Sequence, residues 1–540
     1  MNATRRTFIK QIGLGTAGLG LVSLLPGCQS LRPRFGAGQL PRSTPEAEGV
    51  SSTGILNFLD AAARAKYELH SLMLLRHGRV VAEGWWTPYG PEYNHTLYSL
   101  SKSFTSTAVG LAVAEGRLTV NDKVTKFFPD ELPATISENL AALSVRDLLT
   151  MSVGNTKEPT HDMVKEENWV KAFLAAPIGH TPGSTFMYNS AATYMCSAIV
   201  QKLTGRTILD YLTPRLFAPL DIAGMTWETC PRGINTGGWG LSVPTEALAK
   251  FGQLYLQKGV WRGRRLLPAS WIDEATTFKI QQPAPAKPKR PNDQNDWLQG
   301  YGYQFWRCRH HAFRGDGAFG QYMIVMPEQD AVLAITSEVG NMQGVLDLVW
   351  GHLLPALQPQ AQAADTTTRA RLQQALATLA LPKAGEGIEP TSVVGRVTSR
   401  GAAIAAHIAG KTFQLEPNTL GLQSVAFACG EKRCIATFRD AHQAHPMICG
   451  WDHWHRGVTA LPDTPPRLIS GGAPKPGTSA KVAAGGAWKD ANTLELLLRY
   501  YETPHHDTLT CRFEGEKVSI EMIASIGAVK RPVLQGQSAC

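Results

Sequence analysis

The sequence predicts a mixed α/β chain made of two parts, a larger region of hairpins and helices and a smaller β-rich domain after it. The chain has 540 residues, 43% of them hydrophobic, and this length is too great for one compact core but suits two domains. In the first part, short apolar runs typical of strands alternate with helical patterns. From Val393 onward, apolar and polar residues alternate over short stretches separated by turn residues, which is typical of paired strands.

Two hairpins are predicted in the first part. Residues 71–76 and 80–82 are strand-like, with a turn candidate at 77–79. Residues 322–326 and 331–335 are apolar runs separated by a turn that begins with proline, and a helix would be broken by that proline. Both pairs of runs are therefore expected to form antiparallel strands.

Helical patterns occur between and after these hairpins. Apolar residues recur at helical spacing over 105–115 and 190–203, and Gly116 and Gly205 follow them as helix-ending residues. A further helical pattern covers residues 345–357.

The composition divides the chain into five stretches. Residues 31–50 are rich in Pro, Arg and Gly, as in a tether, and small polar residues precede a helical pattern that begins at Thr366. We expect an export signal at 1–30, a tether at 31–50, a main domain at 51–357, a linker with a helix at 358–390 and a β-rich domain at 391–540.

The N-terminus has the features of an export signal. Residues 4–10 resemble a twin-arginine motif, and the apolar run at 12–25 is too short for a comfortable transmembrane helix. Leu25-Pro-Gly-Cys28 resembles a lipobox, in which Cys28 is lipidated and becomes the mature N-terminus. An uncleaved anchor and an incidental Cys28 are the alternatives. We expect an exported periplasmic or cell-envelope lipoprotein that contacts the membrane through its lipid.

The nine cysteines are too thinly spread for a disulfide-stapled domain. Cys429 and Cys434 flank a predicted hairpin turn and are a candidate disulfide pair. His453 and His455 alternate as strand residues do, and that segment offers too few ligands at close spacing for zinc. We expect no metal and no cofactor.

The formal net charge of +9 is scattered along the chain. A dense basic block with interleaved aromatic residues is the usual sequence signal of a nucleic-acid partner, and these charges do not form one. We therefore expect no nucleic acid as a partner, although a diffuse basic surface is compatible with anionic polymers or membranes.

Ser99-Leu-Ser-Lys102 is the S-x-x-K string of the chain. It lies at the start of the helical pattern, where residues three apart share a face and free backbone N–H groups favour developing negative charge. A serine hydroxyl needs a neighbouring base, and a desolvated lysine with a lowered pKa can act as one. A helix cap at Ser99 and a solvated lysine at Lys102 are the structural alternatives.

A second candidate element leads into the helical pattern that begins at Ser190. Tyr188 precedes this pattern, and a phenol near a lysine can relay a proton between nucleophile and leaving group. A buried aromatic at Tyr188 and a helix cap at Ser190 explain the same residues structurally.

The residues at 95–106 resemble the S-x-x-K segment of class C β-lactamases, penicillin-binding proteins, related serine esterases and 6-aminohexanoate-dimer hydrolases. Further stretches follow in the order of that family: 116–124, 145–154 with Met151 in place of a histidine, Pro182-Gly183 with Tyr188, 238–242, and 317–322 with Pro327-Glu328. The resemblance covers about residues 50–357. It implies a β-lactamase/transpeptidase-like fold, in which helices flank an antiparallel sheet beside an all-helical subdomain.

The resemblance also implies roles for particular residues. It makes Ser99 the acylated nucleophile, Lys102 its base or partner and Tyr188 the proton relay, and it leaves open whether the lysine or the phenol takes the proton. The backbone N–H of Ser99 would form half of an oxyanion hole, and a strand residue between Arg314 and Gly317 the other half.

The sequence departs from the family pattern in two places. Ser190 stands where the family's Y-x-N triad has Asn. If this position binds the substrate, the Ser190 hydroxyl does so in place of an amide. The family's Lys-Thr-Gly falls near residues 312–314, where there is no lysine. Arg314 or His311 could supply the missing cation, and a solvated Arg314 is the alternative.

We expect an exported serine hydrolase that cleaves a small ester or amide through an acyl-serine. A D,D-peptidase-like cell-wall enzyme and a catalytically silent penicillin-binding-like sensor are the alternatives. The resemblance implies no role for the C-terminal β-rich domain, and the oligomeric state is left open.

Overall fold

The computed structural model describes residues 38–385, 399–469, 479–527 and 531–538. The predicted export signal and Cys28 lie outside the described residues. From Gly38 to Cys540 the chain forms one compact unit.

Helices and strands alternate up to residue 357, and strands dominate after residue 411. The α-helices are α1 Ser52–Arg64, α2 Ser101–Ala114, α3 Glu138–Ala142, α4 Val145–Leu149, α5 Thr160–Met163, α6 Trp169–Ala175, α7 Ser190–Thr204, α8 Ile208–Leu212, α9 Thr245–Leu256, α10 Ala269–Thr276, α11 Met342–Leu348, α12 Thr366–Ala377 and α13 Ser399–Ile408. The strands are β1 Leu69–Arg76, β2 Arg79–Trp85, β3 His95–Thr96, β4 Thr226–Trp227, β5 Leu241–Val243, β6 Val260–Trp261, β7 Arg264–Arg265, β8 Trp306–Arg307, β9 Phe313–Gly317, β10 Gln321–Met326, β11 Ala331–Ser337, β12 Thr412–Leu415, β13 Ser424–Cys429, β14 Arg433–Arg439, β15 Ala444–Gly450, β16 His455–Thr459, β17 Ala480–Trp488, β18 Thr493–Arg499, β19 His506–Glu514, β20 Lys517–Ala524 and β21 Leu534–Ser538.

The first part is built on an antiparallel sheet of six strands in the order β2-β1-β11-β10-β9-β8. Side chains alternate between its two faces, so that Met73 and Val325 join one core while Leu72 and Ile324 join the other. Helices α2, α7 and α9 contribute to the first core, and α1, α11 and α12 to the second. Both predicted hairpins are confirmed, as β1–β2 and β10–β11.

An all-helical region lies beside this sheet, as the resemblance implies. Helices α2–α8 follow one another with no strand between β3 and β4. Buried side chains of α7 and α2 pack in the same core as one face of the sheet. This core joins the helical region to the sheet. Gly205 ends α7 at a φ of 68°, a left-handed conformation that glycine adopts without strain.

The C-terminal region is a sheet of ten strands in the order β15-β14-β13-β12-β21-β20-β19-β18-β17-β16, and an added pairing of β15 with β17 gives it a barrel-like closure. Leu496, Leu509 and Phe513 are among the alternating side chains that fill its core. The structure joins Cys429 and Cys434, which face each other on β13 and β14, in a disulfide. No described helix is both long and apolar enough to cross a membrane.

The C-terminal region begins with a helix, which corrects the expectation of strands from Val393 onward. Val393 lies outside the described residues, α13 covers Ser399–Ile408 and the first strand begins at Thr412. Alanine is the best helix former, and α13 is rich in it. Ile404 and Ile408, four residues apart, contact the core of the ten-stranded sheet, so one apolar helix face accounts for the difference.

Residues 38–50, expected to belong to a tether, pack against the sheet region. Leu40 is buried, and the guanidinium of Arg42 forms ion pairs with Glu83 and Glu246 at 2.8 and 3.0 Å. Residues 38–50 are thus held in place by the buried Leu40 and Val50, by the ion pairs of Arg42, and by backbone hydrogen bonds to Val80. In the predicted linker, α12 packs on the second core through the buried Leu372.

Candidate active site

Ser99 lies in a short 3-10 turn, Tyr98–Leu100, that leads directly into α2. Its side chain is partly exposed, whereas Lys102 in the first turn of α2 is buried. The two atoms Ser99 Oγ and Lys102 Nζ lie 3.1 Å apart, as the i, i+3 spacing predicts. Leu100 is the residue that caps α2, with no side-chain cap bond, so a capping role for Ser99 is wrong.

The amine of Lys102 is surrounded by oxygen atoms and one aromatic ring. Besides Ser99, it contacts the Ser190 hydroxyl at 3.0 Å and the Gly238 carbonyl oxygen at 2.7 Å, and it lies 4.8 Å from the ring centre of Tyr188. Burial disfavours the charged ammonium and lowers the pKa of Lys102 to about 7. A solvated lysine at this position is therefore excluded.

Two carboxylates moderate the lowered pKa of Lys102. The negative charges of Glu158 and Asp316 favour the ammonium and raise the pKa, though less than burial lowers it. Glu158 is fixed by the backbone N–H groups of Ser190 and Thr160, each of which donates to its carboxylate at 3.1 Å. These two acids partly offset the effect of burial and so reduce the share of neutral amine near neutral pH.

Tyr188 precedes α7 and lies between Lys102 and the ring of Trp306. Its ring is stacked 5.5 Å from that of Trp306. Burial raises the pKa of the phenol well above its usual value, and a hydrogen bond with Ser99 lowers it by less. The structure thus brings Ser99, Lys102 and Tyr188 together.

Asn189 caps α7, which corrects the structural alternative that made Ser190 the cap. The Asn189 side chain accepts from the backbone N–H of Ala192 at 2.9 Å. The Ser190 hydroxyl is thereby left to the lysine. Met151, which replaces a family histidine, lies behind this turn, and its sulfur accepts from the Asn189 backbone N–H at 3.2 Å.

Arg314 is buried, so a solvated Arg314 is wrong. Its guanidinium donates to Asp316 at 2.8 Å and to the Asp296 carbonyl oxygen at 2.9 Å, and it lies 4.5 Å from the ring centre of Trp297. The arginine is therefore already paired with a carboxylate. His311 does not approach the pocket either, because its side chain is 80% exposed and bonded to Glu328.

Strand β9 passes close to the nucleophile segment. A Cβ placed on Gly317 would lie 2.0 Å from the Leu97 carbonyl oxygen, and one on Gly315 would lie 2.8 Å from the Ser103 hydroxyl. Only glycines permit this approach. The closeness is compatible with an oxyanion hole shared by β9 and Ser99, and that role stays a prediction.

Sequence reasoning assigned no role to Glu158, Asp316, Gly238 or Trp306, although Gly238 opens the 238–242 stretch that resembles the family. Asp316 alone had a usable signal, since it alternates with Arg314 on a predicted strand and two opposite charges at i and i+2 share a strand face. The other three lie in loops or at a strand edge, far from Ser99 in the sequence, and only the fold brings them near.

Among the described residues, Glu68, Glu338 and His506 could each place one ligand atom within 4.8 Å of the others. Both carboxylates are already used by protein groups, because Arg499 donates to Glu68 at 2.5 Å and His506 lies 3.0 Å from Glu338. We therefore interpret this group as a contact between the two sheet regions rather than as a metal centre.

The family model described as Beta-lactamase matches residues 62–347, more than half of the chain. The chain belongs to the beta-lactamase family. The S-x-x-K string, Tyr188 and β9 all lie within the matched residues of this beta-lactamase-family chain.

Individual relatives match shorter stretches. The 6-aminohexanoate-dimer hydrolase of Paenarthrobacter ureafaciens is 28% identical over 224 residues, which are 38% of this chain and 56% of that protein. Protein flp of Staphylococcus aureus (strain MW2) is 26% identical over 144 residues, 26% of this chain and 29% of that protein. The chain thus spans about half or less of the length of these curated relatives. The octameric penicillin-binding protein homologue from Pyrococcus abyssi aligns with a TM-score of 0.45 and 14% identity over 90% of this chain and 99% of that one.

Proposed function

We propose that the chain is a serine hydrolase that cleaves a small ester or amide through an acyl intermediate on Ser99. The observation that carries the proposal is the distance of 3.1 Å between Ser99 Oγ and the buried Lys102 Nζ. A serine hydroxyl becomes a nucleophile when a neighbouring base accepts its proton. Membership of the beta-lactamase family supports the same chemistry.

The two shifted pKa values favour Lys102 as the base. Burial lowers the pKa of Lys102 to about 7, so a large share of the amine is neutral near neutral pH. Burial raises the pKa of Tyr188, which therefore keeps its proton in the resting protein. We assign proton abstraction to Lys102 and proton relay to the neutral phenol of Tyr188.

In acylation, Ser99 Oγ attacks the carbonyl carbon of the substrate and its proton passes to Lys102 Nζ. The Oγ–C bond forms, the C–O or C–N bond to the leaving group breaks, and Lys102 returns the proton to the leaving group through the Tyr188 phenol. Water then attacks the acyl carbon and gives one proton to Lys102, the bond between the acyl carbon and Oγ breaks, and Lys102 returns the proton to Oγ as the acid is released. The backbone N–H groups of Ser99 and of β9 are the proposed oxyanion donors.

The surroundings of the nucleophile favour an uncharged acyl group. The cation of Arg314 is paired with Asp316, and Asp316 is close enough to Lys102 to affect its pKa. Residues 312–314, near which the family's Lys-Thr-Gly falls, contain no lysine to receive a substrate carboxylate, and Arg314 is already held by Asp316. The name of the 6-aminohexanoate-dimer hydrolase relative is in keeping with a small ester or amide.

Export is part of the proposal. We propose that the twin-arginine-like residues 4–10 direct the chain out of the cytoplasm and that Cys28 is lipidated, which holds the hydrolase at the cell envelope. One acyl chain gives only weak membrane binding, so more than one chain on Cys28 is needed for stable anchoring.

The test is turnover of p-nitrophenyl butyrate. Ser99→Ala is expected to abolish hydrolysis while the far-UV circular dichroism spectrum stays unchanged. Ser184→Ala removes an exposed hydroxyl and is the matched control, expected to hydrolyse at the wild-type rate. Wild-type turnover by Ser99→Ala would refute the assignment of the nucleophile.

A further inference from the structure

The turn between β18 and β19, residues 500–505, lies against the segment that leads to Ser99. The Thr96 backbone N–H donates to the Glu502 carbonyl oxygen at 3.0 Å. The Tyr89 hydroxyl donates to the Thr503 carbonyl oxygen at 2.9 Å. The turn of the C-terminal sheet thus contacts the chain three and ten residues before the proposed nucleophile.

Tyr98, the residue before Ser99, has a φ of 48°. Residues with a side chain rarely adopt this left-handed region, and it persists where the surroundings hold it. The Tyr98 ring packs against Phe319, and its hydroxyl is hydrogen-bonded to Nε2 of His505. A side chain from the C-terminal region therefore anchors the one strained residue next to the nucleophile.

His505 is itself held by a carboxylate of the first sheet. Its Nδ1 lies 2.6 Å from Glu338 Oε1, just after β11. Burial would raise the pKa of Glu338, but hydrogen bonds from His505 and His506 lower it to about 2. An ionised carboxylate can only accept, so Nδ1 carries a proton and donates to Glu338, and Nε2 is the ring nitrogen left for the Tyr98 hydroxyl.

We propose that His505 is a positioning residue for the nucleophile: by holding the Tyr98 hydroxyl, it fixes the left-handed backbone of Tyr98 and so keeps Ser99 Oγ directed at Lys102. This inference rests on the proposed function, since it takes Ser99 as the nucleophile. It gives the C-terminal region a role in the active site through a residue that does not touch the substrate.

The chain offers a matched control for this role. His506 follows His505 and makes the same kind of hydrogen bond to Glu338, with Nδ1 3.0 Å from Oε2. The residue hydrogen-bonded to Tyr98 is His505. Loss of either histidine removes one bond to the same carboxylate. Only loss of His505 releases Tyr98, so a purely structural role and a positioning role give different results.

The experiment measures kcat and KM for p-nitrophenyl butyrate in the full chain. We expect His505→Ala to lower kcat about tenfold or more with KM changed less than about twofold, because a misplaced nucleophile slows the chemical step rather than binding. His506→Ala is expected to keep kcat within about twofold of wild type. His505→Gln, whose amide can accept from Tyr98 and donate to Glu338, is expected to recover part of the loss.

Tyr98→Phe tests the same link without changing the C-terminal region. It is expected to lower kcat by a similar factor, and adding His505→Ala to it is expected to cost little more, since both changes remove one interaction. Wild-type kcat in His505→Ala and Tyr98→Phe would overturn the inference, as would an equal loss in His506→Ala.

Reaction of Ser99 with a fluorophosphonate separates this inference from the proposed function. Slower modification of His505→Ala than of His506→Ala supports the positioning role. Equal rates in the two variants, with wild-type protein modified at Ser99, overturn the positioning role alone. A wild-type chain that is not modified at Ser99 overturns the proposed function and the positioning role with it.

Discussion

Lys102 Nζ lies 3.1 Å from Ser99 Oγ, although the lysine is buried and the serine is partly exposed. The buried amine loses its charge easily, and the exposed hydroxyl can meet a substrate. The remaining neighbours of the amine, the Ser190 hydroxyl and the Gly238 carbonyl oxygen, hold it in place. This pairing determines the pH dependence expected of the protein.

The rate should rise with pH through the titration of Lys102. Burial lowers its pKa to about 7, and only the neutral amine can accept the Ser99 proton. The neutral fraction is about one-tenth at one pH unit below this pKa and about nine-tenths at one unit above it. We expect kcat/KM for p-nitrophenyl acetate to rise in the same way. The rising part of the pH profile, its acidic limb, should therefore lie near neutral pH. Lys102→Arg, which stays charged, should lose activity at every pH.

Glu158→Gln should move this acidic limb to lower pH. The negative charge of Glu158 raises the pKa of Lys102, so its removal makes the amine neutral at lower pH. The measurement is the pH profile of kcat/KM. Glu167→Gln, which removes an exposed charge, is the control and should leave the limb in place. A shift to higher pH in Glu158→Gln would contradict the sign of this interaction.

The protein should prefer activated esters to β-lactams. Arg314 is bonded to Asp316, and residues 312–314, where the resemblance puts the lysine that holds a substrate carboxylate in β-lactam-binding relatives, contain no lysine. Loss of a charge-assisted hydrogen bond costs about 1.5–3 kcal/mol, or one to two powers of ten in rate. The comparison is kcat/KM for p-nitrophenyl butyrate against that for a chromogenic cephalosporin. A cephalosporin value as high as the ester value would show that another cation fills the role.

Cys28→Ser should prevent lipidation and release the protein from the membrane fraction or block its processing. The mature wild-type chain is expected to begin at Cys28 and to carry the mass of its acyl chains. The measurement is N-terminal mass analysis together with fractionation of cells. A mature chain that keeps its first 27 residues and stays in the cytoplasm would be incompatible with the proposal.

Most of the first sheet could be predicted because its strands carry short-range patterns. The strands of the β1–β2 and β10–β11 hairpins extend at most three residues beyond the ends of the predicted runs. Helix α13 lacks a clear periodic pattern because Ile404 and Ile408 are its only large apolar residues, and alternating strands follow it closely. The packing of residues 38–50 depends on Arg42 reaching Glu83 and Glu246, which no local pattern could reveal.

The candidate site was predictable only where its residues are close in sequence. Ser99 and Lys102 are one helical turn apart, so their meeting followed from helix geometry. The position of Tyr188 before a predicted helix made it a candidate, and the resemblance to a family implied its role as proton relay. The role of Asp316 depends on whether Arg314 is solvated or buried, and the sequence does not show this. In the structure Arg314 is buried, and it is paired with Asp316.

The most direct test of the account is the intact mass of the protein after reaction with a fluorophosphonate, followed by peptide mapping. The account predicts one adduct per chain on the peptide that contains Ser99, no adduct in Ser99→Ala, and much slower formation in Lys102→Ala. A wild-type chain that stays unmodified, or a Ser99→Ala chain modified as fast as wild type, would contradict it.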